Sequence, residues 1–422
     1  MRTAPMWMML AACVAVAGCE AKPVGNAPPP SEAAAPVASD EQPVSDAAPP
    51  AKAAAAPQVL TDEELADGWI ALFDGATLFG WQPHSKADWK VEDGAITVTG
   101  GEKGLLCTSV RFADYVLKAD FKAAQGTNSG IFLRTAPIVG QDDITTKCYE
   151  LNIAPSDNPF PTGSLVGRQK AKEVSESEDW QSFEVTVDGP KVTVTLNGDE
   201  VLKYEDPMPI GRGHIGLQLN EGRVAFKNLK LRPLNLDPMF DGKSLAGWKD
   251  HPDSKSKFTV TDAGEINVKD GRGCIETEKS YGDFVVQLEC ISHKPALNSG
   301  IFFRTVPGSL MDGYESQIHN GFKNGDRTQP VDCGTGGIFR RVNARLVAAD
   351  DGQWFYKTIL ADGPRVAVWV NGYQVTDWTD DRPPHDNPRQ GLRTELGTIQ
   401  IQGHDPTTDL SFRNLRIAEL ED

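Results

Sequence analysis

An all-β chain of two tandem antiparallel β-sandwich domains behind a disordered Ala/Pro-rich tether is what the sequence predicts, on three observations. One ordered set of motifs occurs twice, each copy alternates apolar and polar residues at a spacing of two, and turn formers abound, with 40 glycines and 29 prolines among 422 residues. A chain of this length exceeds what one hydrophobic core sustains, so two domains are expected.

The N-terminus comes first. Arg2 precedes an apolar run from Met6 to Ala17, too short to stay in a bilayer as a spanning helix but suited to a secretory signal. It ends in Val16-Ala17-Gly18-Cys19, which resembles a bacterial lipobox and predicts lipidation of Cys19, with residues 1–19 as the signal. The alternative is ordinary cleavage that leaves a soluble periplasmic protein. Glu20 rather than Asp follows the cysteine, so outer membrane or cell surface is the expected destination. Residues 20–58 are mostly Ala and Pro, which bury too little surface to offset the entropy of ordering.

The duplication sets the rest. Leu72-Phe73-Asp74-Gly75 with Leu78 and Gly80-Trp81 returns as Met239-Phe240-Asp241-Gly242 with Leu245 and Gly247-Trp248. Asn128-Ser129-Gly130-Ile131-Phe132-Leu133-Arg134 returns as Asn298-Ser299-Gly300-Ile301-Phe302-Phe303-Arg304, and Tyr149-Glu150-Leu151-Asn152-Ile153 as Tyr314-Glu315-Ser316-Gln317-Ile318. Asn197-Gly198 matches Asn371-Gly372, and Phe226-Lys227-Asn228-Leu229 matches Phe412-Arg413-Asn414-Leu415. The domains are placed at 59–234 and 235–422, each expected to fold alone. The Asn-Gly pairs between β-rich runs predict hairpins, because both residues accept the positive φ that a two-residue turn requires. A short helix is expected near Asp62 to Gly68.

Strand alternation then sorts the chemistry. Tyr149, Leu151 and Ile153 suit a core, which turns Glu150 and Asn152 outward; in the second copy Glu315, Gln317 and His319 turn outward likewise. Arg134 and Arg304 are expected on the same face, with Gln218 in the first copy and Gln402 and His404 in the second. The plain alternative is the solvated face of a half-exposed sheet. A net charge of −17 disfavours nucleic acid as a partner. Five cysteines beyond the signal, with no CxxC pair, predict no metal centre; half-buried thiols are favoured over disulfides, though pairing stays open.

The ordered motifs resemble the 3-keto-disaccharide hydrolase domain family, long a domain of unknown function abundant in Planctomycetes and Bacteroidetes. The resemblance spans both copies, and the chain as a whole looks like a lipoprotein of planctomycete type. It implies a concanavalin A-like jelly roll, no cofactor, and cleavage of glycosides whose sugar carries a ketone at carbon 3, which an upstream sugar 3-dehydrogenase would supply. On that reading Glu150 and Glu315 are bases and His319 an acid or base. Asn128, Arg134, Asn152, Gln218, Asn298, Arg304, Gln317, Arg340, Gln402 and His404 are substrate-binding candidates. The second copy, with His319 where the first has Ala154, is expected to be the more active. Two other functions compete: a two-carboxylate glycosidase, for which Asp143 and Asp312 are second acids, and a non-catalytic pair of carbohydrate-binding modules using Trp81, Trp248 or Trp369, though large aromatics of a sandwich more often seal its core.

Cys19→Ser should abolish lipid labelling and move the protein out of membrane fractions; unchanged partition of the variant would overturn the anchor.

Overall fold

The computed structural model describes residues 55–137, 140 and 143–420. The signal, Cys19 and nearly all of the tether lie outside them.

Each copy is a sandwich of one large and one five-stranded antiparallel sheet, and strand order is the same in both. In the first copy the large sheet runs Asp199–Glu205, Lys191–Leu196, Gln181–Asp188, Tyr115–Ala123, Val224–Pro233, Ala95–Val98, Lys90–Glu92. The second repeats it as Tyr373–Thr379, Arg365–Val370, Phe355–Asp362, Phe284–Ser292, Asp409–Glu419, Ile266–Lys269, Lys257–Val260. The five-stranded sheets run from Trp81–Pro83 to the edge strand Tyr149–Ile153, and from Trp248–Asp250 to the edge strand Tyr314–Ile318. Alternating residues of each pair of sheets interdigitate: Leu117, Phe121, Leu151 and Leu217 in the first copy, Val286, Ile301, Ile359 and Ile401 in the second.

Local chemistry explains several repeated motifs. Both Asn-Gly turns have positive φ at both residues, 54° and 91° for Asn197 and Gly198 and 49° and 72° for Asn371 and Gly372. Asp74 accepts hydrogen bonds from the Ala76 and Thr77 amides, Asp241 from those of Lys243 and Ser244, so the opening Asp-Gly motif is a turn. Asn228 and Asn414 sit at φ 50° and 53° where the register of their strands shifts, which makes the closing motif a bulge.

One expectation is corrected here. The cores are not separate: Val285, Leu360, Ala367, Trp369 and Leu420 of the second copy belong to the same buried cluster as first-copy residues. The Trp369 indole donates to the Ala71 carbonyl at 2.9 Å, and the Ala71 amide to the Gly372 carbonyl at 2.9 Å. Arg111 and Arg212 of the first copy pair with Asp362 and Asp283 of the second, at 2.5 and 2.7 Å. The leading helix, Asp62–Asp67, is closed by a capping box between Thr61 and Glu64, and Gln287 of the second copy donates to Gly68 just after it, at 2.8 Å. The tryptophans lie where large aromatics of a sandwich usually do. Trp81, Trp248 and Trp369 are buried, each with its indole nitrogen on a backbone carbonyl, so none is a stacking platform.

Trp369→Ala should cost about 3–5 kcal/mol, the range for emptying a buried aromatic site, and lower the stability of both copies together in chemical denaturation. A loss confined to the second copy would refute the shared core.

Candidate active site

Pairing across the five-stranded sheet builds the site. Glu315 lies opposite Phe302 and Gln317 opposite Gly300; beyond them Gln400 lies opposite Phe302, and Cys274 opposite Gln402. The first copy places Glu150 opposite Phe132 and Asn152 opposite Gly130. Carboxylate and amide thus share the outer face, as alternation predicts. The glycine of the Asn-Ser-Gly motif makes room for the acid: a Cβ on Gly300 would stand 2.7 Å from Glu315 Oε1, and one on Gly130 3.3 Å from Glu150 Cγ. The adjacent serines, Ser129 and Ser299, donate to the Gln218 and Gln402 carbonyls and lock the neighbouring strand.

This face is not solvated. Glu315 is 6% exposed, Gln317 0% and Gln402 5%, because loops fold over it. Gln400 accepts from the Met311 amide and donates to the Ser309 carbonyl, which fixes one loop on the sheet. Gln317 donates to Asn298 and Asp332, both at 3.2 Å, and Asn298 also bonds Asp332. The side-chain oxygens of Gln317 and Gln402 have no partner, and in the first copy those of Asn152 and Gln218 have none. Buried acceptors left open beside a carboxyl are groups that a ligand's hydroxyls can satisfy.

Arg134 and Arg304 are not on this face. Both take a left-handed backbone, φ 50° and 48°, where the strand register shifts, so the side chain turns off the sheet. Arg304 donates to the Gly282, Gly363 and Arg393 carbonyls and pairs with Asp283; Arg134 donates to Ala113, Gly189 and Ile210 and pairs with Asp114. They are structural hubs. His404 is corrected as well: it follows the strand Thr398–Gly403 and pairs with its neighbour Asp405 at 2.9 Å. His319 lies just past the end of Tyr314–Ile318, its Nδ1 accepting from the Gly321 amide at 3.1 Å. Four extended residues span about 13 Å, so His319 stands at the far end of the row from Glu315. Asn128 is half-buried at the corresponding end of the first copy, where it bridges Glu221 through the backbone.

Electrostatics single out the two acids. Burial pushes Glu150 up to about 7, against a hydrogen bond from Gln218. Burial also pushes Glu315 up to about 7; Arg389 opposes it, Asp332 adds to it, and Lys357 and Arg340 oppose it more weakly. Arg389 stands 3.8 Å from Glu315 Oε2 and donates to the Met311 carbonyl at 3.1 Å. It comes from the loop 380–397, far longer than its first-copy counterpart 206–213, and that difference in length was the readable sign of it. Lys357 reaches the same strand from inside the sandwich and donates to the Ser316 and Gln317 carbonyls, both at 2.8 Å; burial pulls it down to about 7. A lysine at a core-facing strand position, where the first copy has Phe183, was its sequence sign.

Glu315 opens into a cleft of roughly 420 Å³ lined by Asp312, Arg340, Arg341, Arg382 and Arg389. In the first copy Ile144 and Cys148 pack with Phe132, Leu105 and Cys107 on the corresponding face. Arg168 secures that cover, donating to the Thr145 carbonyl at 2.6 Å and pairing with Asp206 at 2.7 Å. Asp143 begins the short cover helix Ile144–Lys147 and pairs with Lys147. The five described cysteines are free and buried, and among the described residues no cluster of three metal-ligating side chains occurs.

Each copy is thus an all-β, antiparallel sandwich with a buried acid on its smaller sheet. The chain belongs to the 3-keto-alpha-glucoside-1,2-lyase-like domain family, whose model matches residues 68–232 and 236–418. It is similar to a 3-keto-disaccharide hydrolase of Bacteroides thetaiotaomicron, 24% identical over 231 residues, covering 40% of this chain and 80% of that one. Among solved structures it is similar to a candidate glycosyl hydrolase of Parabacteroides distasonis, 24% identical, covering 42% of this chain and 98% of that one at a TM-score of 0.37. A carbohydrate-binding module of Bacillus subtilis is 15% identical, covering 36% and 94%, at a TM-score of 0.29.

The raised Glu315 has a thermodynamic consequence. Its folded value of about 7 lies above the ordinary 4.5, so stability present below pH 4.5 is lost as pH rises through 7. Glu315→Gln should match the parent at pH 4 and exceed it at pH 8 by up to about 3 kcal/mol. A difference between the two proteins that does not change with pH would refute the burial of an ionisable Glu315.

Proposed function

We propose that the chain cleaves glycosides oxidised to a ketone at carbon 3, with the second copy as the working site and Glu315 as its base. The observation that carries this reading is a buried carboxyl raised to about 7, opening into a cleft with a guanidinium 3.8 Å away. A base of that strength is half ionised at neutral pH and able both to take a proton and to return it.

The ketone makes the chemistry accessible to one carboxylate. Glu315 removes the proton from C2, and the electron pair of that bond moves to form the C2–C3 double bond as the ketone becomes an enolate. Arg389 supplies donors to the developing charge, while the open side-chain oxygens of Gln317 and Gln402 accept from the sugar's hydroxyls. Collapse of the enolate restores the ketone, forms the C1–C2 double bond and expels the oxygen on C1, which takes the proton held by Glu315. Water then adds at C1 and a proton returns to C2, completing a net hydrolysis. C2 and C1 are adjacent, so one carboxyl serves both transfers without His319.

The first copy keeps Glu150, also raised to about 7, beneath the apolar cover described above, and acts mainly as scaffold on this reading. On the same reading the protein works outside the cytoplasm, at the outer membrane or cell surface, held by lipid at Cys19, after an oxidoreductase that makes 3-keto sugars; the lipobox-like Val16-Ala17-Gly18-Cys19 supports the anchor.

Incubation with a 3-keto-glucoside and its unoxidised parent tests the reaction. Only the keto form should be cleaved, with a rate that rises between about pH 6 and 8 as Glu315 ionises. Glu315→Gln should lower turnover by about 10² to 10⁴ with little change in binding. Cleavage of the parent would favour a two-carboxylate glycosidase using Asp312, which lines the same cleft; tight binding without turnover would favour a binding module.

A further inference from the structure

The cleft over Glu315 carries more positive charge than a neutral sugar needs, in a chain whose net charge is −17. Four guanidinium groups line it, from Arg340, Arg341, Arg382 and Arg389, against the carboxyls of Glu315 and Asp312. Arg382 is paired closely with a carboxylate, Asp380 at 2.7 Å. Arg341 is held by backbone, donating to the Arg340 carbonyl at 3.0 Å and to that of Arg389. Burial and the charges of Arg382 and Arg389 pull its proton affinity down. Arg389 lies over the Phe302 ring at 5.7 Å and meets Glu315 only at 3.8 Å.

Arg340 is the most telling of the four. It is exposed, it stacks on Phe339 at 5.1 Å, and its guanidinium has no hydrogen-bond partner among the described residues. It also sits at φ 58°, a left-handed conformation that a non-glycine residue adopts only under strain. The first copy has Gly167 at the matching turn, at φ 68°, and turns its next residue, Arg168, onto Asp206. The strained turn accepts glycine at no cost, yet the open cleft holds an arginine there.

Sugar hydroxyls both donate and accept, and are met by mixed groups such as Gln317, Gln402 and Asp332. Guanidinium groups only donate, and they suit an oxyanion that only accepts. We propose that the second copy takes an oxidised glycoside bearing a carboxylate or sulfate, held by Arg340, Arg341 and Arg389 on the side of Glu315 toward the loop 380–397. This rests on the reading of the cleft as a glycoside site and names the class of substrate.

Binding is measured by calorimetry on the full chain carrying Glu315→Gln, with methyl glucuronide, glucose 6-sulfate and methyl glucoside as probes. At low salt one or both anions should bind about ten- to hundredfold tighter than the neutral glucoside, as expected for a charge-assisted contact. The preference should shrink in 0.5 M salt, on the order of what screening predicts. Preference for the glucuronide alone assigns a carboxylate, for the 6-sulfate alone a sulfate. Adding Arg340→Ala and Arg341→Ala should bring all three sugars to one affinity. Equal affinities in the parent, no binding of any probe, or a preference that survives the double substitution overturns the proposal. Cleavage of a neutral 3-keto-glucoside without anion preference sinks only this inference, whereas anion preference without any keto-sugar cleavage sinks only the proposed reaction.

Discussion

The buried guanidinium of Arg304 holds together the parts of the molecule that matter most to the site. It is 0% exposed and turned off its strand by a left-handed bulge, and it ties the Gly282, Gly363 and Arg393 carbonyls to one another. Asp283 neutralises it and in turn binds Arg212 of the first copy. A buried cation of this kind persists only when each donor finds an acceptor, and removal of one partner is far more costly than the pair is stabilising. Through Arg393 the same group anchors the loop that brings Arg389 over Glu315. Fold, interface and cleft therefore share one polar knot.

The two copies show how one topology serves two ends. Strand order and register, the Asn-Gly hairpins, the Asp-Gly turns and the bulge asparagines are common to both, so the scaffold tolerates divergence on its outer face. In the first copy a short helix, secured by Arg168, brings apolar side chains onto the Glu150 sheet. In the second, Gln400 pins a shorter crossover at Ser309 and Met311, and the longer loop beyond Asp380 leaves an open cleft. Lys357 adds an asymmetry beneath the sheet, binding the carbonyls of the strand that carries Glu315, where Phe183 in the first copy stacks on Phe121 at 4.7 Å.

Much was legible in the sequence because it is local. Period-two alternation put Glu150, Asn152, Glu315 and Gln317 on one face, Asn-Gly marked the hairpins, and the repeat fixed the number of sandwiches and their common order. These follow from backbone geometry and steric preference within a few residues. Arg134 and Arg304 misled for a physical reason: a single bulge inverts which way a side chain points, and alternation cannot see it. His404 misled because it lies beyond its strand, where a neighbouring aspartate captures it.

Tertiary structure alone decided the rest. Whether a polar sheet face is wet or buried depends on loops distant in sequence, and it is their cover that desolvates Glu315 and raises its proton affinity. Arg389 and Lys357 reach the same strand from outside and from within, across separations no local pattern encodes. The joining of the two copies through Trp369, Arg111 and Arg212 likewise depends on which outer faces meet. The sequence by itself determined strands, turns, duplication and the sheet face that carries Glu150 and Glu315; desolvation, charge and cover are sums over space, and only the folded chain performs them.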